Sequence, residues 1–145
     1  MPEPLALPGH VRAFIAAPGR FATLATLDPG GAPRQAVVWY RLDPDGMLVV
    51  NSADGRRWPA NLRRDARVAI AIADAGDGDQ WVGLDAKVAE IVDDQATAQA
   101  DIAGLARRYR PDDPAEVAAD IARFQAQHRV TFRLRLTSFH DHLDG

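Results

Sequence analysis

The sequence predicts a mainly β fold of about six antiparallel strands with peripheral helices. Short apolar segments alternate with polar residues and are separated by strong turn signals, which is typical of hairpins. The strands follow one another without the strand–helix–strand rhythm of a doubly wound sheet, and the longer helices come late in the chain. Such a sheet hides its apolar face most simply by closing into a small barrel with helices packed outside it.

The length and composition fit one domain over residues 1–145, with 47% hydrophobic residues to form its core. The chain has no cysteine, which excludes disulfides and thiolate chemistry. A net charge of −3 argues against broad nucleic-acid binding. No apolar run approaches the ~20 residues of a membrane span, and the N-terminus lacks the features of a secretory signal. We therefore expect a cytoplasmic protein.

The first half of the chain predicts a short helix and a three-stranded meander. The turns DPGG and DPDG join the strands, and Pro18-Gly19 ends the helix. The predicted elements are helix His10–Ala16 and strands Phe21–Leu27, Gln35–Leu42 and Met47–Asn51.

The second half predicts helices inserted between the remaining strands. Asp93-Asp94 can cap a helix that runs to Tyr109, and Pro111 to Pro114 separates it from the next. In the last strand, Val130 and Phe132 begin an inward-facing alternation. The predicted elements are helix Arg57–Arg64, strands Arg67–Ala73 and Trp81–Val92, a helix to Tyr109, helix Ala115–Gln125 and strand Arg129–Leu136.

The segment NSADGRRW, which follows the third strand, has the properties of a phosphate-binding loop. Gly55 permits unusual backbone angles, and a helix starting near Arg57 would point free N–H groups at a ligand. Arg56 and Arg57 offer planar donor pairs that match phosphate oxygens. The alternative is that both are solvated loop residues. Three further arginines, Arg63, Arg64 and Arg67, are expected to face solvent or Asp65.

Three stretches together resemble the split barrels of the pyridoxamine 5′-phosphate oxidase-like family, in particular their F420-dependent (deazaflavin) branch. They are FATLATLDPGGAPRQAVVWY, MLVVNSADGRRWPANLRRDARVAI and QWVGLDAKVAEI. The resemblance covers nearly the whole chain and implies a split β-barrel homodimer with a cofactor, FMN or coenzyme F420, in each of two interfacial clefts. It also implies that the phosphate loop contains a small polar residue, then Arg, then usually Lys.

Carried over onto this chain, the resemblance gives a set of candidate cofactor-binding residues. Trp58 stands where the family usually has Lys, so Arg57 is expected to be the main phosphate ligand and Arg56 to support it. Backbone of the strand containing Gln35 to Val38 would lie along the cofactor ring, and Gln80 would reach across the dimer. The set is Gln35, Ala36, Val37, Val38, Asn51, Ser52, Arg56, Arg57, Trp58, Asn61 and Gln80.

Several of these residues have a plainer alternative role. Val37, Val38 and Trp58 could be core residues, although Trp usually needs a partner for its polar atom and so favours a cleft. His140 and His142 share a face and could bind a metal, but a metal needs further ligands from elsewhere, and a solvated tail is the preferred interpretation. We predict no metal site, and we find no spacing that supports a catalytic set of side chains.

The function expected from the sequence is therefore an F420H2-dependent reductase that transfers hydride to a small unsaturated or heteroaromatic acceptor. The alternatives are an FMN-dependent reductase or oxidase of the same fold, and a non-catalytic flavin- or tetrapyrrole-binding protein. A homodimer is expected on separate grounds, because QAVVWYRL and RVAIAIA carry apolar residues on both faces and one barrel has only one interior.

Overall fold

A seven-stranded antiparallel sheet forms the centre of the molecule in the computed structural model, which describes residues 5–144. The strands are β1 (Ala22–Leu27), β2 (Pro33–Val38), β3 (Arg41–Leu42), β4 (Leu48–Ala53), β5 (Arg67–Ala73), β6 (Trp81–Val92) and β7 (Arg129–His142). The helices are α1 (Gly9–Ala16), α2 (Arg57–Arg64), α3 (Gln95–Tyr109) and α4 (Pro114–Gln125). Within the described residues, no helix is long and apolar enough to cross a membrane.

The sheet curls because its two edges are adjacent in the chain. The strand order is β2-β1-β5-β6-β7-β4-β3, so both edge strands come from one segment interrupted only by Trp39 and Tyr40. The sequence predicted one continuous strand over Gln35–Leu42, which was wrong in this detail. Counting the bent segment as one strand gives the six strands that were predicted, and the fold is the expected split barrel.

The interior is filled by the alternate positions that the sequence pattern indicated. Along β5 every second residue is buried, and in β7 the predicted inward residues Val130, Phe132, Leu134 and Leu136 are all buried. Val11 and Ile15 of α1 complete this core. The Tyr40 hydroxyl lies fully inside the barrel and donates a hydrogen bond to the Ile15 carbonyl at 2.7 Å, which ties α1 to the closing segment.

Helices α3 and α4 form a hairpin outside the barrel with an apolar cluster of its own, which includes Ile102 and Leu105. Each helix begins at an aspartate that accepts a backbone hydrogen bond, Asp94 from Thr97 and Asp113 from Glu116. The hairpin docks through stacked rings, since Tyr109 lies 5.2 Å from Trp39 and 5.4 Å from Phe21, centroid to centroid.

The last strand is longer than the sequence predicted. Strand β7 continues beyond Leu136 to His142 and pairs along its length with β6, ending at Trp81 opposite His142. Phe139 to His142 therefore belong to a strand and not to a tail, although the side chains of His140, Asp141 and His142 are exposed as expected. Backbone pairing does not require apolar side chains, so this polar segment, TSFHDH, gave no strand signal although its hydrogen bonds extend the sheet.

Candidate functional site

An open cavity of about 270 Å³ lies between the ends of β2 and β4 and the α3–α4 hairpin. Its apolar side is formed by Val37, Val38, Trp39, Trp58, Ile102 and Phe124. Its polar side is formed by Asn51, Ser52, Arg56, Arg123, Gln127 and Arg129. The cavity thus combines apolar side chains with a group of cationic ones, and the Phe124 ring lies against the guanidinium groups of Arg123 and Arg129.

The apolar wall comes from the exposed edge of the sheet. Strand β2 pairs only with β1, so the backbone groups on its other side have no strand partner. The residues at its end, Val37 and Val38, line the cavity, and Trp39 continues the wall toward α3–α4. This edge can offer backbone N–H and C=O groups beside an apolar surface.

The loop from β4 to α2 brings Arg56 to the cavity. Gly55 has a φ of +95°, the left-handed region that favours glycine, and the Asp54 N–H donates to the His128 carbonyl at 2.8 Å. Helix α2 then begins without a side-chain cap and without an acidic residue in its first turn. Its N-terminal N–H groups and the Arg56 side chain therefore add positive potential on this side.

Arg129 is the most buried cation in the cavity, with 4% of its surface exposed. Its Nε donates to Asn51 Oδ1 at 3.0 Å and its Nη1 to Gln127 Oε1 at 2.6 Å, while the guanidinium carbon lies 4.7 Å from the Phe124 ring centre. Burial, together with the nearby charges of Arg56 and Arg123, lowers the pKa of Arg129 to about 10.

Asn51 links Arg129 to the barrel. Its Nδ2 donates to the Ala98 carbonyl at 3.0 Å and to Thr131 Oγ1 at 2.9 Å. Thr131 in turn donates to Asp101 at 2.8 Å. The Asn51 amide is thus fully used within the protein, and its direct effect is to orient the Arg129 guanidinium.

The structure brings together about half of the residues that the sequence singled out. Six of them line the cavity: Val37, Val38, Asn51, Ser52, Arg56 and Trp58. Gln35 and Arg57 line a separate groove with Arg34, where Arg57 Nε lies 4.0 Å from Asp28. The two neighbouring arginines of the loop therefore point to different places.

The remaining predicted residues lie outside both surfaces. Ala36 packs partly buried against the barrel core. Asn61 is buried and donates to Thr26 Oγ1 and Asp28 Oδ1, so it holds α2 against the β1 end. Gln80 exchanges hydrogen bonds with Asp144 at 2.8 and 3.0 Å, which fixes the C-terminal end of the described chain.

Besides the apolar Trp39, Ile102 and Phe124, the sequence analysis missed three polar cavity residues: Arg123, Gln127 and Arg129. They belong to the end of α4 and the start of β7, far in sequence from the loop. The alternation of β7 did contain a signal, because Val130 and Phe132 face inward and Arg129 therefore faces outward, toward the predicted helices. The depth of its burial depends on where those helices dock.

Two other arginines near the loop, Arg63 and Arg67, are neutralised by carboxylates, whereas Arg64 donates to the Leu27 carbonyl and to Asn61 Oδ1. Arg63 pairs with Asp93 at 2.6 Å and with Asp54 at 3.3 Å, and Arg67 pairs with Asp65 at 2.8 Å. Asp54, Asp93 and His128 are the group in the described chain with atoms close enough to share a metal ion, but Arg63 already pairs with both carboxylates. His140 and His142 do not belong to that group; both lie against Trp81.

Comparison with known proteins gives a family match and many structural relatives. The family model for pyridoxamine 5′-phosphate oxidase matches residues 7–135. A search of curated proteins finds no significant match. Among solved structures, an F420 reductase is 23% identical with a TM-score of 0.73, covering 92% of this chain and 98% of that one.

Two further structures show how widely this fold is used. A conserved hypothetical protein of Mycobacterium tuberculosis, Rv2991, is 25% identical with a TM-score of 0.71, covering 97% of this chain and 88% of that one. HutZ, the haem storage protein from Vibrio cholerae, is 18% identical with a TM-score of 0.66, covering 94% and 95%. Proteins with similar folds thus carry names that refer to different ligands, F420 in one case and haem in another.

Trp58 is predicted to be required for stability as well as for the cavity wall. It is 8% exposed, and its ring lies 5.7 Å from Phe132 in the barrel core. Replacing it with Lys, the usual family residue, would bury an ammonium group and lower the free energy of unfolding by roughly 2–4 kcal/mol. Trp58→Phe is the control and should lower the free energy of unfolding by less than about 1.5 kcal/mol. Equal stability of Trp58→Lys and the parent in urea unfolding would show that the indole does not support the core.

Proposed function

Because this chain belongs to the pyridoxamine 5′-phosphate oxidase family, we propose that it is an oxidoreductase that binds coenzyme F420 in the cavity beside β2. The observation that carries the proposal is the composition of that one cavity. A free strand edge and apolar side chains line it together with Arg56, Arg123 and Arg129. This matches a ligand with a flat polar-edged ring system and an anionic chain.

Each side of the cavity has a distinct task in this proposal. The unpaired backbone groups of β2 would hydrogen-bond the carbonyls and ring nitrogens of the cofactor, and Val37 and Val38 would contact its face. Arg56, with the N-terminal end of α2, would bind its phosphate. Trp39 and Phe124 would limit access of water to the ring.

Hydride transfer from the reduced cofactor to an unsaturated carbon of a small acceptor, with a proton from solvent, is the chemistry that the bound group would supply. This reduces the acceptor by two electrons and oxidises the cofactor. The chain would contribute orientation and exclusion of water, so no side chain is assigned as acid or base.

F420 is favoured over FMN for two reasons. An F420 reductase is among the proteins with a similar fold, and the cavity carries more positive charge than one phosphate monoester needs. FMN is the alternative cofactor. A second alternative, storage of a tetrapyrrole, is suggested by the similarity to a haem storage protein.

A titration of the purified protein with oxidised F420, FMN and haemin tests this proposal. We expect saturable F420 binding in the micromolar range or tighter, and FMN binding at least ~10-fold weaker, a difference of about 1.4 kcal/mol. Absorbance and fluorescence changes measure each complex, and oxidation of F420H2 by an added acceptor measures turnover. Tight binding of haemin alone would contradict the proposal, and F420 binding without turnover by a panel of acceptors would identify a carrier.

The two loop arginines are predicted to differ in their effect on cofactor binding. Arg56 lines the cavity, whereas Arg57 lies in the neighbouring groove with 65% of its side chain exposed. One lost charge-assisted hydrogen bond costs roughly 1.5–3 kcal/mol, so Arg56→Ala should weaken F420 binding about 10- to 100-fold. Arg57→Ala is the matched control and should change the dissociation constant for F420 less than about threefold. A larger loss in Arg57→Ala would restore Arg57 as the main phosphate ligand.

The outer face of the barrel supports the proposal of a homodimer. Three of the four outward residues of β5 are exposed alanines, Ala69, Ala71 and Ala73. Val37 on β2 is 69% exposed, and an apolar groove of about 410 Å³ lies beside β1, β5 and β6. Exposed apolar surface of this extent on one face favours a partner, and a second copy would also cover the cavity from the β2 side.

Light scattering at low micromolar concentration is expected to return the mass of a dimer, because obligate interfaces typically bury more than ~2,000 Å². Ala69→Glu would place a charge in the exposed face and should produce monomers, whereas Ala118→Glu on exposed α4 should not. A monomer mass for the parent protein with cofactor bound would exclude the dimer.

A further inference from the structure

We propose that Arg129 is the fixed anion receptor of the cavity and binds a phosphoryl or carboxylate group of the ligand. This assigns the central ionic contact to the start of β7, outside the loop from β4 to α2. The inference rests on the proposed function for the identity of the ligand, but it makes a separate claim about which residue recognises negative charge.

The first support is burial without a counterion. Arg129 is the arginine with the least exposed surface in the described chain, and both side chains that accept its hydrogen bonds, Asn51 and Gln127, are neutral amides. Within residues 5–144, no carboxylate lies within ion-pair distance of its guanidinium, although Arg41, Arg63 and most other partly buried arginines have one. A buried charge without compensation is unfavourable, so a site of this kind gains free energy when an anion enters.

The second support is that other cations face the same space. Arg56 and Arg123 line the cavity with Arg129, and their charges add to burial in disfavouring the Arg129 cation. The charge of Arg123 is partly compensated by an ion pair with Asp120 at 3.0 Å, whereas Arg56 forms no ion pair within the described residues. An anion between them would relieve the repulsion and return the Arg129 pKa toward its ordinary value.

The third support is that the guanidinium is held in one orientation. A chain of hydrogen bonds runs from Asp101 through Thr131 and Asn51 to Arg129 Nε, and the Phe124 ring lies against the guanidinium. Gln127 occupies one Nη1 hydrogen, and Nη2 makes no hydrogen bond with residues 5–144. The free N–H groups are thus fixed in direction before a ligand arrives, which favours planar, paired recognition of oxygens.

The alternative is that Arg129 only joins β4 to the α4–β7 junction, in which case its charge would be incidental. The two roles make opposite predictions for a variant that keeps every hydrogen bond and adds a counterion. Gln127→Glu is such a variant, because the replaced group is isosteric and already accepts the Nη1 hydrogen bond at 2.6 Å.

The experiment measures binding of inorganic phosphate and of oxidised F420 to the full chain, by calorimetry and fluorescence. Gln127→Glu is expected to weaken both at least about tenfold, while the melting temperature without ligand stays equal or rises because the buried cation is now paired. Gln125→Glu is the control, since this exposed residue adds the same charge two positions away. It should change the affinities less than about threefold.

Arg129→Gln is the second variant and keeps the inference testable if Gln127→Glu does not fold. It should also lose phosphate and F420 binding by at least about tenfold. Unchanged phosphate affinity in either folded variant would overturn the inference, as would a parent protein that binds neither phosphate nor F420.

The outcomes for the receptor and for the proposed function can be separated. Phosphate binding that depends on Gln127 and Arg129, without F420 binding by the parent, would support the receptor and reject the proposed cofactor. F420 binding that both variants retain would reject the receptor and support the cofactor.

Discussion

Closure of the barrel depends on the two residues that join the opposite edges of the sheet. Successive residues of an extended chain point to opposite faces, so Tyr40 enters the core while Trp39 faces the helical hairpin. The Tyr40 N–H also donates to the Tyr109 hydroxyl at 3.1 Å. One short segment therefore bends the edge, anchors α1 and docks α3–α4. The cavity lies beside it because the free edge of β2 ends there.

The sequence predicted the fold more completely than the site, and the reason is physical. Alternation and turn chemistry are local, so the helix Arg57–Arg64 and the strands Arg67–Ala73 and Trp81–Val92 were predicted with the bounds that the structure has. The sequence did not predict β7 beyond Leu136. A polar strand has no apolar pattern of its own and is held by backbone hydrogen bonds to the strand beside it, here β6. The break at Trp39–Tyr40 likewise results from closure of the whole sheet.

The site depends on contacts between distant parts of the chain. The sequence ranked Arg57 above Arg56 as a phosphate ligand, yet Arg56 is the extended residue that precedes α2 and Arg57 is the first helical residue, and of the two only Arg56 lines the cavity. Arg129 is buried because the α3–α4 hairpin covers the start of β7. A net charge of −3 also hides a cationic cavity, since aspartates elsewhere neutralise other arginines, as in the pairs Arg67–Asp65 and Arg133–Asp43.

The hairpin has an apolar cluster separate from that of the barrel, and this has a consequence for affinity. It supplies Phe124 and Arg123, and the turn after it supplies Gln127, so the cavity is complete only while the hairpin is docked. Apparent affinity is then the intrinsic affinity multiplied by the fraction of molecules in the docked state. Substitutions at Tyr109, which stacks on Trp39 but does not line the cavity, would act on binding through this conformational equilibrium. Ligand, in turn, would stabilise the docked hairpin by the same free energy.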